Sequence, residues 1–225
     1  MSQASGDRDR DKARWFLVLA GLSGLVGPVL LVASFRMNPA PPPGLTTAAL
    51  AAWAAPREGI ILLSAWMQGM GSLLIVVFSF ALVEIRTGVS PLAERLTRLA
   101  GTVILMVSLT EIAFYIAGAK AAATADVTLG LIATKLIEGV QHVFLIAPAV
   151  LLPLGIVLYR SRVLPRIFAY TGLILGATLQ TLGLAELFAP LQPVVDVVLI
   201  AQSAWFVLAG LVLIVRTPPG LALAA

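Results

Sequence analysis

The chain has 225 residues, of which 60% are hydrophobic and only 12% are charged, and its mean hydropathy is +1.01. This composition lies far outside the range of soluble domains and indicates an integral membrane protein. The net charge of +4 would suggest a nucleic acid partner for a soluble chain. Here the basic residues gather in alternate loops, where they set orientation, so nucleic acid is excluded as a partner. Cysteine is absent, which excludes disulfides, thiolate metal sites and a thiol nucleophile.

The first 14 residues alternate acids and bases and have little to bury, so residues 1–14 are predicted to be a disordered cytoplasmic tail. The apolar run from Trp15 to Phe35 is longer than the hydrophobic region of a signal peptide and has no convincing cleavage site after it. It is therefore predicted to be a retained first membrane span.

Six apolar stretches are each long enough to cross a bilayer, because a hydrocarbon core of about 30 Å takes about 20 helical residues. The predicted fold is therefore all-α: a polytopic integral membrane protein with a bundle of six transmembrane helices over residues 15–216, followed by a cytoplasmic tail over residues 217–225. The fourth span is longer than one crossing needs, which predicts that it is tilted, kinked or projecting. The spans are predicted at about 15–35, 60–83, 99–119, 130–159, 167–188 and 194–215.

The basic residues divide unequally between the two ends of these spans, which predicts that both termini face the cytoplasm. With that orientation the cytoplasmic side carries Arg8, Arg10, Lys12, Arg14, Arg86, Arg95, Arg98, Arg160, Arg162, Arg166 and Arg216. The other side carries only Arg36, Arg57, Lys120 and Lys135.

The extracytoplasmic loop over residues 37–58 opens with prolines, after which Thr46 or Thr47 is predicted to cap a short helix that runs through Trp53. This segment is either a lid on the membrane surface or an interfacial connector. Glycines at one-turn spacing predict close helix packing, first at Gly21, Gly24 and Gly27, and again at Gly172 and Gly176. The same glycine-rich faces offer a route to a homo-oligomer.

Polar side chains from five of the six spans lie at similar depth, about 20 to 27 Å from the cytoplasmic edge at 1.5 Å per residue. These are Gln68, Glu111, His142, Gln180 and Gln202. Glu138, Glu186 and Asp196 lie closer to the outer interface. Polar groups cost free energy in lipid, so the sequence predicts that they converge on an outward-facing polar pocket inside the bundle.

The fourth span carries the densest cluster, in which Lys135, Glu138, Gln141 and His142 recur along one helical face. Pro148 and Pro153 break the helix below this cluster, as is usual where a membrane helix lines a cavity. This helix is therefore predicted to face the interior of the bundle.

Three interpretations of these residues stay open. A zinc site normally needs three protein ligands, and the single histidine, with Glu111 and Glu186 as the only extra ligands, makes a metal the least favoured of them. Neither a metal nor a cofactor is therefore predicted. The Glu138–His142 pair could bind a ligand, shuttle protons or act as acid and base, with Glu111 as a further catalytic candidate. The glutamines also suit simple hydrogen bonding between helices.

The turn between the fourth and fifth spans runs Leu154-Gly155, then Leu158-Tyr159-Arg160-Ser161-Arg162-Val163-Leu164-Pro165-Arg166, and is followed by Gly172. It resembles the corresponding turn in a family of uncharacterised bacterial six-helix membrane proteins, over roughly residues 135–190. The resemblance implies the six-span architecture and a bacterial cytoplasmic membrane. It implies no activity and no site residues.

The sequence thus predicts a membrane protein that binds or transports a small amphiphilic molecule or ion through a pocket at Glu111, Glu138, His142 and Gln180, bordered by Gln68, Gln202 and Glu186. The alternatives are a membrane-embedded acid/base enzyme acting on a lipid-soluble substrate, and a structural or regulatory subunit without a ligand. An enzyme is the less favoured, because Walker, HExxH and GxSxG motifs are all absent. Membrane lipids are the other expected partners.

Overall fold

A computed structural model describes residues 3–38, 46–85, 88, 90–124, 126–146, 150–186, 188 and 191–215, without the side chains of residues 3–13, 47, 50, 51, 127, 138, 141–146, 186 and 192. The described residues are almost all helical and contain no strand. The helices are α1 (Gln3–Met37), α2 (Thr47–Ala54), a 3-10 turn (Ala55–Arg57), α3 (Glu58–Glu84), α4 (Pro91–Ala123), α5 (Val127–Ile146), α6 (Leu151–Ser161), α7 (Arg166–Glu186) and α8 (Gln192–Val215).

Five of these helices, α1, α3, α4, α7 and α8, contain apolar segments that are long enough to cross a membrane. They overlap the first, second, third, fifth and sixth predicted spans. Large apolar side chains are exposed on their outer surfaces, for example Met106 at 61% and Ile174 at 65%. Such exposure is costly in water and suits lipid. The chain is therefore an all-α, multi-pass membrane protein.

Neighbouring helices run antiparallel. A Cβ added at Gly27 of α1 would approach Gly71 of α3, whereas one added at Gly24 would approach Phe78, further along α3. The same reversal relates α1 to α8, α3 to α4, α4 to α5 and α6 to α7. Arginines therefore gather where α1, α4 and α7 begin and where α6 ends, and we refer to this side as the basic end. Helices α3 and α8 also end on this side. Its described arginines are Arg14, Arg95, Arg98, Arg160, Arg162 and Arg166.

The predicted fourth span is divided between two helices. Helix α5 ends at Ile146 and α6 begins at Leu151, and Pro148 lies outside the described residues. Pro153 is the third residue of α6, where the missing amide hydrogen has no partner inside the helix to lose. Helix α6 packs between α4 and α7 and also touches α3, whereas α5 packs on α4 and α7. At 11 residues, α6 is about 16 Å long and crosses only half of a bilayer.

The apolar core lies in the half of the bundle at the basic end. It is built around Phe78 and Phe206, whose rings meet edge to face at 6.0 Å and are at most 1% exposed. Helix α6 supplies its centre, with Leu151, Leu154 and Leu158 fully buried. The outermost members of this core on α3 and α4 are Ile75 and Ile104. Packing of the opposite half therefore depends on other contacts.

Small residues let the helices approach closely, as the sequence predicts. A Cβ added at Gly210 of α8 would lie 2.6 Å from the backbone oxygen of Gly21 in α1, and one at Gly176 of α7 would lie 2.7 Å from the backbone nitrogen of Leu152 in α6. In lipid, van der Waals contact of this kind drives helix association. The glycine-rich faces are thus occupied by the chain's own helices.

Two segments outside the membrane spans are also helical. Residues 3–14 continue α1, whereas the sequence predicts a disordered tail there. Acidic residues followed three positions later by basic ones suit a helix, and extending an existing helix avoids the cost of nucleation.

In the loop over residues 37–58, the hydroxyl of Thr46 accepts a hydrogen bond from the amide of Ala49 at 3.3 Å and caps α2. Helix α2 packs against α4 and α5, and its role as a lid stays a prediction.

Candidate functional site

The centre of the candidate site is a hydrogen bond between Gln68 of α3 and Glu111 of α4. The two side chains are 3% and 4% exposed, and Nε2 of Gln68 donates to Oε2 of Glu111 at 2.5 Å. Gln68 lies ten residues into α3, about 15 Å from the end opposite the basic end. Counting residues from the flanking arginines places both side chains in one layer of the membrane. The hydrogen bond joins these two residues directly.

A second polar pair lies one turn closer to the basic end. The hydroxyls of Ser72 and Ser108 are 2.8 Å apart, and both serines are at most 2% exposed. Sequence reasoning did not identify this pair. The signal was present in the spacing, because Ser72 follows Gln68 by four residues and Ser108 precedes Glu111 by three, so both pairs fall on the facing surfaces of antiparallel helices.

The contact between α3 and α4, which we call the seam, also carries an ion pair near each of its ends. Lys120 donates to Glu58 at 2.8 Å near the end opposite the basic end, and Arg98 lies 2.5 Å from Glu84 near the basic end. These side chains are largely exposed, and each such pair stabilises the protein by less than about 1 kcal/mol. They lie in the same antiparallel register of α3 against α4 as the two buried pairs.

The buried carboxylate is expensive for the bundle. An acidic side chain at the centre of a membrane helix costs about 2.5 to 3.5 kcal/mol on insertion scales. Hydrogen bonds between membrane helices return about 0.6 kcal/mol on average. Even two such bonds to Glu111 would leave its ionised form unfavourable for stability. The carboxylate is therefore the residue of this seam that packing alone explains least well.

The other predicted site residues lie on α5, α7 and α8. Gln180 on α7 and Gln202 on α8 are half-buried. The backbone of Glu138 and His142 lies in α5 and that of Glu186 ends α7, but the side chains of all three lie outside the described residues. The predicted pocket around them stays a prediction.

The helices that carry these residues are nevertheless neighbours. Helix α5 packs against both α4 and α7, and a Cβ added at Gly118 of α4 would lie 3.4 Å from that of Ala133 of α5.

Among the residues with described side chains, no three acidic or histidine residues are close enough to hold a metal ion.

Comparison of the chain with family models, curated proteins and solved structures finds no match.

Proposed function

We propose that this protein binds or moves a small amphiphilic molecule or ion at a polar site centred on Glu111. The observation that carries the proposal is the Gln68–Glu111 pair, an ionisable group with 4% exposure that lies within the membrane span and is held by an amide from another helix. Because burying a carboxylate in a membrane span costs free energy, a role in binding is the simpler reason for its presence. A buried carboxylate favours a cation, a proton or a hydrogen-bond donor as its ligand.

The arrangement of the helices supports the wider pocket. Glu111 lies on α4, Glu138 and His142 on α5, and Gln180 on α7. Since α5 packs on both α4 and α7, a ligand that entered between these helices would contact all three of them. In this proposal Glu111 is the ionisable group, while Gln68 orients its carboxylate.

The test is ligand-induced stabilisation of the purified full chain in detergent, because a molecule that binds only the folded state raises the melting temperature. The panel contains sodium, potassium, calcium and tetraethylammonium chlorides and a long-chain alkylamine, at pH 5 to 8. We expect at least one of them to stabilise the wild type, and Glu111→Gln to abolish that stabilisation.

Glu58→Gln is the matched control, because it removes an acid from an exposed ion pair on the same helical seam. It should keep the response. If Glu111→Gln and His142→Ala both respond as the wild type does, the proposal is wrong.

One observation favours a second candidate, a structural or regulatory subunit without a ligand. The Gln68 and Glu111 side chains are matched to each other and so are Ser72 and Ser108, as expected if they only join helices. The two candidates differ in energetics. A pair kept for structure stabilises the bundle, whereas a pair kept for binding does not.

We further infer that the chain crosses the membrane six times, with α5 and α6 together forming the fourth crossing and both termini in the cytoplasm. Helix α5 is antiparallel to α4, and α6 is antiparallel to α7. The excess of arginine at the basic end supports the orientation.

The absence of cysteine makes this arrangement easy to test, because every introduced thiol is unique. In spheroplasts, an impermeant maleimide should label Thr124→Cys but not Arg95→Cys. The pair Gly118→Cys and Ala133→Cys should form a disulfide, since their Cβ atoms would lie 3.4 Å apart, close to the separation found in disulfides. The reverse labelling would overturn the orientation, and failure to form the disulfide would overturn the placement of α5.

A further inference from the structure

The turn between α6 and α7 holds an arginine in an unusual backbone conformation. Arg162 follows the last residue of α6 with φ 55° and ψ 26°, and its amide donates to the carbonyl of Leu158 at 3.1 Å. It is the only residue other than glycine with positive φ in the described part of the chain. This position after a helix is usually glycine, because a Cβ is unfavourable in the left-handed region. A large cationic side chain therefore occupies a backbone conformation that favours glycine.

Arg162 lines an open depression of about 420 Å³ at the basic end, together with Leu164, Pro165 and Arg166. Both arginines are exposed, whereas Leu164, the apolar side chain of the lining, is only 3% exposed. The salt bridges among the described residues involve neither arginine. Two cationic groups thus line one concave site, and none of the carboxylates with described side chains forms a salt bridge with them.

Aromatic rings border the same site. The guanidinium of Arg166 lies over the ring of Tyr159 at 5.8 Å, and this ring lies 5.7 Å from that of Tyr170. The two tyrosines are 42% and 47% exposed, and Ile167 beside them is 61% exposed. Exposed tyrosines near the end of a membrane helix belong at the level of the lipid headgroups. The stacking contact restrains the Arg166 side chain, so less entropy is lost when its guanidinium binds a ligand.

We propose that this depression binds the phosphate headgroup of an anionic phospholipid in the membrane leaflet at the basic end. The planar fork of arginine matches phosphate oxygens in two parallel hydrogen bonds. The tyrosine rings and Ile167 would contact the glycerol and upper acyl chain, which a soluble phosphate lacks. Arginines that only set topology need no concave site and no particular backbone conformation. The proposal is independent of any ligand at Glu111.

The test measures binding of phosphatidylglycerol, labelled on an acyl chain, to the purified full chain in nonionic detergent by fluorescence polarisation. Arg162→Gly and Arg166→Gln should each weaken binding about fivefold or more, the effect of one arginine near an anionic lipid headgroup. Arg162→Gly should keep or raise the melting temperature, because glycine suits the positive φ. Arg95→Gln is the matched control, since Arg95 is exposed at the same end but does not line the depression.

Competition identifies the ligand. Unlabelled phosphatidylglycerol should displace the probe, while phosphatidylcholine and glycerophosphate should displace it poorly. If glycerophosphate competes as well as the lipid, the site binds a soluble phosphate and the proposal is overturned. It is also overturned if phosphatidylcholine competes equally, if Arg95→Gln weakens binding as much as Arg162→Gly, or if neither Arg162→Gly nor Arg166→Gln weakens it.

Discussion

Replacing Gln68 and Glu111 by leucine, singly and together, separates a binding role of this pair from a structural one. Gln68→Leu removes the amide that holds a carboxylate with 4% exposure, and Glu111→Leu leaves the Gln68 amide without this acceptor. Removing one partner of a buried hydrogen bond costs about 1 to 3 kcal/mol, so Gln68→Leu should lose roughly that much unfolding free energy. Glu111→Leu should lose less, because it also removes the cost of burying the carboxylate. The double variant removes both groups of the pair. Replacing a buried polar pair by apolar side chains of similar volume is often neutral, or stabilising by about 1 to 4 kcal/mol.

The assay is reversible unfolding of the purified protein in mixed micelles with increasing dodecyl sulfate, followed by fluorescence of the four tryptophans. Ser72→Ala and Ser108→Ala, made singly and together, form a matched double-mutant cycle on the same seam that involves no ionisable group. Their coupling should stay below about 1.7 kcal/mol, the largest value typical of such pairs. If the double leucine variant is less stable than the wild type by more than about 1.7 kcal/mol, the Gln68–Glu111 pair makes a net contribution to the stability of the bundle. The structural candidate would then replace the binding proposal.

Three further predictions concern the bundle around the site. Gly210→Ala should destabilise the protein by about 1 to 3 kcal/mol, because its Cβ would lie 2.6 Å from a backbone oxygen of α1, while Gly59→Ala, with open space around it, should cost nothing measurable by the same unfolding assay. Trp205→Phe should cost about 1 kcal/mol, because the indole N–H donates to the Phe168 carbonyl at 3.0 Å, whereas Phe in place of exposed Trp66 should be neutral in thermal denaturation. Glu84→Gln, which breaks an exposed ion pair, should lower stability by less than about 1 kcal/mol, and raising the salt concentration should remove the difference.

The meeting of Gln68 with Glu111 could be predicted because membrane helices convert residue counts into depth. Each helix rises 1.5 Å per residue and is anchored by arginines at one interface, so equal counts give equal heights. Equal height does not fix rotation about the helix axis. Gln180 and Gln202 share the layer by the same counting and are both half-buried, so equal depth alone does not tell which neighbouring helix each side chain faces. Rotation depends on which faces the neighbouring helices cover, and apolar composition on all sides hides that information.

The division of the fourth span was only partly predictable. Pro148 and Pro153 indicated a break, but Pro153 lies inside the first turn of α6, where it is tolerated. Hydropathy is high on both sides of the break, so composition could not show that α6 belongs to the core while α5 lies at the edge of the bundle. The conformation of Arg162 was not predictable, because arginine has no preference for positive φ and the turn contains no glycine that would have suggested it.

The short length of α6 explains why a polar pair is found where it is. The apolar core ends at Ile75 on α3 and Ile104 on α4, and Gln68 and Glu111 each lie seven residues beyond it, about 10 Å along their helices. Helix α6 fills the space beside α3 and α4 in the basic half, and α5 packs on α4 and α7 instead of continuing that layer. Beyond the core, helices α3 and α4 therefore contact each other directly, and the two polar pairs join them there. The Glu111 carboxylate then lies on a helix that also packs against α5. A carboxylate inside the large aromatic core would have no such access.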